Sequence, residues 1–177
     1  TAAMPEGTGL DKFRDLFPER FFDVGIAEQH AVCFASGLSK LGLKPVVAVY
    51  STFLQRAYDE IIEEVALQNL PVIFCIDRAG IVGEDGATHQ GIFDIAYLRN
   101  IPNLTVMAPK DAREMEAMME FSVSLNQPVA LRYPRSAIPL EDGVFSCVEL
   151  GKAQVIKKGE DFCIIAIGSM VSPAYEA

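Results

Sequence analysis

An α/β fold, a parallel sheet covered by helices on both faces, is predicted by two observations. Apolar runs alternate along the chain with segments whose apolar residues recur every three or four positions. The runs are rich in Val and Ile at successive positions, as strands buried on both faces require. With 177 residues, half of them hydrophobic, the chain can bury the core of one full domain plus a fragment.

The elements follow in order. "RFFDVG" (20–25) reads as a strand, and "AEQHAVCFASGLSKLG" (27–42) as a helix closed by Gly42. "KPVVAVY" (44–50) is a second strand, and "FLQRAYDEIIEEVALQN" (53–69) a helix with apolar positions three and four apart. "PVIFCID" (71–77) reads as a buried strand; a glycine-rich loop follows it, and "GIFDIAYLRN" (91–100) is helical. "LTVMAP" (104–109) and "PVALRYP" (128–134) read as strands. They flank a helix over 111–126, opened by Asp111 with Glu114 three residues on, a variant of the capping box.

From 136 to 150 the pattern lapses into proline, glycine and mixed polarity, as in an interdomain linker. Residues 151–177 then read as the truncated start of a second α/β domain, with two strands joined at "KKGED" and a helix beginning after them. The expected organisation is a domain over 1–135, a linker over 136–150 and this opening over 151–177. Neither terminus reads as a natural end, so the chain is expected to be a fragment of a longer protein.

Twenty-four acidic against fifteen basic residues give a net charge of −9, with no Lys/Arg-rich tract. That argues against nucleic acid and anionic membranes as partners. Apolar stretches are too short or too interrupted to span a bilayer. The four cysteines are far apart, with no C-x-x-C pair and no histidine at ligand spacing, so a reduced cytoplasmic chain without a metal site of its own is expected.

Ligands of an open parallel sheet bind beyond the carboxyl ends of its strands. Polar and aromatic residues collect at those ends: Glu28 after the first strand, Tyr50, Phe53 and Arg56 after the second, Arg78, Asp85 and His89 after the third, and Arg135 after "PVALRYP". Each has a plainer reading. The helix macrodipole alone favours a carboxylate at Glu28. Phe53 fits an ordinary core, Arg56 a solvated pair with Glu60, and His89 a cap for the following helix. The loop "GEDGATHQGIFD" (83–94) is harder to explain away, since glycines at 83, 86 and 91 permit conformations other residues resist. No phosphate-loop lysine accompanies it.

Taken together, "DVGIAEQHAV", "YSTFLQRAYDE", "IDRAGIVGEDGATHQGIFD" and "RYPR" resemble the 1-deoxy-D-xylulose-5-phosphate synthase family of the transketolase superfamily, over nearly all of 18–134. The resemblance implies a pyrimidine-binding domain of a thiamine-diphosphate enzyme followed by the start of a C-terminal domain. It implies condensation of pyruvate with D-glyceraldehyde 3-phosphate, with loss of carbon dioxide, as the first step of non-mevalonate isoprenoid synthesis. In that family an amino-terminal domain, without counterpart here, holds the cofactor's diphosphate and Mg2+; the enzyme is a homodimer. This chain alone is therefore expected to be inactive.

Carried over by the resemblance, Glu28 hydrogen-bonds the aminopyrimidine ring nitrogen and favours the imino tautomer, a general acid–base task. Phe53 stacks on the pyrimidine, with Tyr50 and Arg56 nearby. Arg78 and Arg135 grip the sugar phosphate, a job suited to guanidinium geometry, with Arg132 the alternative to Arg135. Asp85 and His89 face the substrate. Imidazole is the side chain whose ordinary titration lies nearest neutrality, and so suits a proton transfer there. Other superfamily enzymes, and a non-catalytic binding or regulatory module of the same fold, are the competing readings.

Overall fold

The structure, a computed structural model, describes residues 1–137 and 148–177, so most of the predicted linker lies outside the described residues. Four parallel strands form one sheet: β1 (Val46–Tyr50), β2 (Ile73–Asp77), β3 (Thr105–Met107) and β4 (Val129–Arg132), in the order β1-β2-β4-β3. β4 therefore inserts beside β2, and the register places Tyr50 opposite Asp77 and Ile76 opposite Arg132. All the polar side chains singled out above except Glu28 and Arg56 lie at or just beyond these carboxyl ends.

The alternation of side chains along a strand divides the core in two. Val47 and Val49 of β1, Phe74 and Ile76 of β2 and Ala130 of β4 face one layer. That layer holds helix α2 (Glu28–Lys40), the segment from 51 to 66 and helix α5 (Asp94–Leu98). Ala48, Ile73, Cys75, Val129 and Leu131 face the other, where helix α6 (Ala112–Ser124) packs Met115, Met118 and Met119. The predicted two-sided covering is present. Asp111 caps α6 by accepting from the Glu114 amide at 2.8 Å, and Glu114 returns a bond from the Lys110 amide at 2.7 Å.

Three expectations need correction. Residues 20–25 form no strand: the Val24 amide bonds the Thr1 carbonyl at 3.1 Å, the Ala3 amide bonds the Asp23 carboxylate, and Gly25 turns left-handed at φ 72°. The segment is thus held by the chain's first residues and not by the sheet. The predicted helix over 53–69 is broken into short pieces: α3 (Ser51–Leu54), a 3-10 turn, α4 (Tyr58–Glu60) and a π-helical turn over Ile61–Ala66. In that turn the Leu67 amide reaches five residues back, to the Ile62 carbonyl at 2.9 Å. Leu54, Ala57, Ile61, Val65 and Ala66 all remain fully buried.

The third correction concerns residues 152–167, which form no strand and bend at 157, 160 and 161, with Val155, Phe162, Ile164, Ile165 and Ile167 exposed. The expected helix does begin after them, as α7 (Val171–Glu176). Helix α1 (Asp11–Leu16) leads into the first part of the chain and buries no side chain. Among the described residues no helix is long and apolar enough to cross a membrane.

Candidate functional site

Two groups of side chains make up the site, one on the amino end of α2 and one at the carboxyl edge of the sheet, joined by residues 50–56. The first is built on the amino end of α2. Glu28 is the helix's first residue, buried to 5% exposure. Its Oε2 accepts no hydrogen bond among the described residues and lies 3.7 Å from Nε of the half-exposed Arg56. Arg56 therefore pairs with Glu28, not with Glu60 as helical spacing allows. A buried carboxylate oxygen that accepts no hydrogen bond is costly, even with a cation 3.7 Å away. It marks a place built to receive a donor.

The second group is a layered polar network. Tyr50 and Phe53 stack with centroids 5.3 Å apart and planes inclined by 13°, and the His89 ring meets Phe53 edge-on, also at 5.3 Å. The Arg78 guanidinium lies over the Tyr50 ring at 3.8 Å, a cation–π contact. Burial raises the Tyr50 hydroxyl above its ordinary pKa, although Arg78 pulls the other way, so the phenol stays neutral. His89 does not cap the following helix: α5 begins five residues later, and Nδ1 of His89 lies 2.9 Å from the Thr88 hydroxyl.

Arg78 is held from several sides. Its Nε donates to Asp85 at 2.9 Å, and its Nη1 to Asp77 at 3.0 Å and to the Gly7 carbonyl at 2.9 Å. Its backbone is left-handed, φ 55°, a conformation that costs a non-glycine residue about 1–2 kcal/mol. The Asp77 carboxylate accepts the Arg78 amide at 2.6 Å and so helps to fix that turn. Burial pushes the Asp77 carboxyl above its ordinary pKa, opposed by the Arg78 amide and guanidinium. Asp85 bridges Arg78 and Arg135, accepting from Nη1 of Arg135 at 2.5 Å. Arg132 is engaged elsewhere, its Nε donating to the fully buried Asp94 at 2.7 Å.

The loop carrying Asp85 and His89 is pinched shut at its neck. The Gly80 amide donates to the Gly91 carbonyl at 2.6 Å, and the Gly91 amide to the Gly80 carbonyl at 2.8 Å. A Cβ at Gly91 would fall 2.2 Å from the Arg78 carbonyl oxygen, so only glycine fits. The backbone at Gly7 similarly presses on the Tyr50 hydroxyl, where a Cβ would lie 1.8 Å away.

Residues 1–141 match the family described as "Transketolase, pyrimidine binding domain". The chain belongs to this family. Over its whole length it is 58% identical to a 1-deoxy-D-xylulose-5-phosphate synthase of Gloeobacter violaceus and 59% identical to one of Dictyoglomus thermophilum. It spans only 28% and 29% of those relatives, less than a third of their length. A solved chain described as "Split gene transketolase, inactive beta4 tetramer" superposes with a TM-score of 0.86 at 36% identity, covering 99% of this chain and 57% of that one. A transketolase mutant from Pichia stipitis superposes at 0.73 with 26% identity, covering 87% of this chain and 24% of that one.

In a pyrimidine-binding domain the buried Glu28 oxygen, which accepts no hydrogen bond, suits a protonated ring nitrogen, and the Tyr50–Phe53 stack supplies aromatic surface close by. These residues fit the pyrimidine half of thiamine diphosphate. Among the described residues there is no cluster of three or more acidic, histidine or cysteine side chains able to hold a metal, so no residue of this chain is assigned to magnesium. Sequence reasoning missed Asp77, Asp94 and Gly7. The signal for the two aspartates was there: each closes an apolar run, in "IFCID" and in "GIFD", where a carboxylate needs a partner to be buried.

Proposed function

We propose that this chain is the pyrimidine-binding part of a 1-deoxy-D-xylulose-5-phosphate synthase, which joins pyruvate and D-glyceraldehyde 3-phosphate with release of carbon dioxide and so feeds non-mevalonate isoprenoid synthesis. The observation that carries the reading is the buried Glu28 oxygen at the amino end of α2, which accepts no hydrogen bond and has only the Arg56 charge at 3.7 Å beside it. Identity to named synthases at 58% and 59%, against 36% to the split-gene transketolase, supports the synthase over its superfamily relatives.

Thiamine diphosphate, when bound, supplies the carbanion chemistry. Glu28 holds a proton at the pyrimidine ring nitrogen, and Phe53 presents its ring to the pyrimidine, with Tyr50 behind it and Arg56 beside the carboxylate. Arg78 and Arg135, already drawn together by Asp85, bind the phosphate of the aldehyde substrate. Arg135 is preferred to Arg132 because its side chain is 45% exposed, whereas that of Arg132 is 15% exposed and paired with the fully buried Asp94. His89 moves a proton at the substrate's reacting oxygen. Diphosphate and Mg2+ binding are assigned to the remainder of the protein. A cytoplasmic homodimer is part of the same proposal and rests on the family resemblance alone.

Glu28→Gln in the full-length protein tests the reading. Hydrogen–deuterium exchange at C2 of bound thiamine diphosphate is expected to be lost while the cofactor is retained. Exchange at the wild-type rate would remove Glu28 from the mechanism. A wild-type protein that binds no thiamine diphosphate would make the domain a non-catalytic module.

A further inference from the structure

"RYPR" presents two arginines three residues apart, and the structure gives them different work. Side chains alternate along β4, so Arg132 leaves on the face of Ala130, toward α5, while Leu131 faces α6. There Arg132 Nε and Nη2 reach the two Asp94 oxygens at 2.7 and 3.4 Å. Asp94 is 1% exposed, and one of its oxygens also accepts the Ile95 amide at 2.9 Å. A carboxylate buried this far is tolerated only with a directional, charged partner.

The position of Asp94 gives the pair its consequence. It lies three residues past Gly91, where the loop that carries Asp85 and His89 re-enters the fold. At the other stem the Ala79 amide donates to the Tyr133 carbonyl at 3.0 Å. Arg135 reaches Asp85 at the middle of the loop. Three points near the end of β4, at residues 132, 133 and 135, thus hold the exit, entry and centre of one loop. Register with β2 ties that strand end down, through the Tyr133 amide bonded to the Ile76 carbonyl at 3.0 Å.

We infer that Arg132, acting through Asp94, is a positioning residue that fixes the loop bearing His89, and is not a ligand of the substrate phosphate. The role of His89 rests on the proposed function; the anchoring of the loop does not. Removing the pair frees the exit stem while leaving Arg135 and the strand core in place. His89 then samples positions displaced from the reacting atoms, and a displacement of about 1 Å can cost on the order of 100-fold in rate.

The test uses the full-length protein with Arg132→Met, and the double variant Arg132→Met/Asp94→Leu. The double variant removes the uncompensated buried charge should the single one fail to fold. Amide exchange at Gly80 and Gly91 is expected to rise at least tenfold in either variant, with Phe74 to Ile76 unchanged. In steady-state assays kcat is expected to fall by about 10- to 100-fold, with the KM for glyceraldehyde 3-phosphate within about threefold of wild type. A KM rise matching that of Arg135→Ala would overturn the inference and make Arg132 a phosphate ligand. Wild-type exchange and kcat in a folded variant would also overturn it, leaving the pair a source of stability only. Faster loop exchange in a protein whose wild type shows no synthase activity would uphold the anchoring and refute the proposed function instead.

Discussion

"IFCID" (73–77) and "CIIAI" (163–167) are both isoleucine-rich apolar runs with one cysteine, and the fold treats them oppositely. The first is β2, buried at every position between β1 and β4, and it delivers Asp77 and Arg78 to the site. In the second, Ile165 is 90% and Ile167 56% exposed, and no strand lies beside it among the described residues. β-propensity describes a residue's fit to a pleated, half-covered surface and needs a neighbouring strand to become structure. Once β2 has two neighbours its end is rigid enough to hold a left-handed arginine and a closed loop. The polar network of Arg78, Asp85 and Arg135 therefore forms beyond the first string and not beyond the second.

The largest expected effect lies in the loop beyond β2. His89→Ala in the full-length protein removes a group proposed to transfer a proton, typically worth ~10²–10⁴-fold in rate. Turnover should fall far more than thiamine diphosphate binding weakens. Normal residual turnover with lost cofactor affinity would move His89 to a supporting role under Phe53.

A second prediction sets the cysteines of the two strings against each other. Burial pushes the Cys75 thiol up to about 12, whereas Cys163 is exposed. A folded-state pKa raised above the unfolded value contributes stability that is fully present below about pH 9 and is lost as pH rises toward 12. The loss is on the order of 4 kcal/mol at the upper end, at about 1.4 kcal/mol per unit. Burial raises Tyr97 and Tyr133 in the same sense, so alkaline unfolding should be steep. Near pH 8 a thiol reagent should label Cys163 rapidly and Cys75 only at the rate of global unfolding. Equal rates would mean that β2 is not the closed strand described.

Gly91→Ala comes third. The added methyl would fall 2.2 Å from the Arg78 carbonyl oxygen, which is backbone, and 2.8 Å from the Ser51 side chain. Overpacking of this kind costs about 1–3 kcal/mol, and backbone contact places it near the top of that range. Urea unfolding should show the loss, with faster amide exchange at Gly80. An unchanged midpoint would mean that the neck of the loop is adjustable.

What could be read in the sequence followed from where burial alone decides. β1, β2 and β4 were legible because Val/Ile runs buried on both faces have few alternatives, and α6 because Asp111 and Glu114 announce its start. The strand expected at 20–25 failed because Phe21 and Phe22 signal apolarity without saying what covers them. The helix expected from 91 starts only at Asp94, because Gly91 is used in the pinch with Gly80. In the site, Tyr50, Phe53, Arg78, Asp85, His89 and Arg135 were legible as residue types beyond strand ends, whereas Glu28 was singled out beyond a strand that does not form and stands instead at the start of α2. Their linkage through Asp85, and the separate task of Arg132, were not, since pairing across 38 or 50 residues depends on strand order. No local spacing encodes the insertion of β4 beside β2.

The smallest expected effect falls on the second string, and it tests the comparison from its weak side. Ile165→Lys in the 177-residue chain replaces a side chain 90% exposed with one that water solvates better. It removes no described contact of the sheet, so stability should change by no more than about 0.5 kcal/mol. Solubility should improve, because six large apolar side chains from Val155 to Ile167 are exposed and a charge among them opposes association. In the full-length protein the same substitution should cost more, by the difference between a free strand and one paired in a completed second domain. Urea unfolding of both forms measures that difference directly. A loss above 1 kcal/mol in the short chain would mean that 163–167 is already packed, and the contrast with β2 would fail. Equal small effects in both would mean that the segment never joins a sheet, and the expected second α/β unit would fail with it.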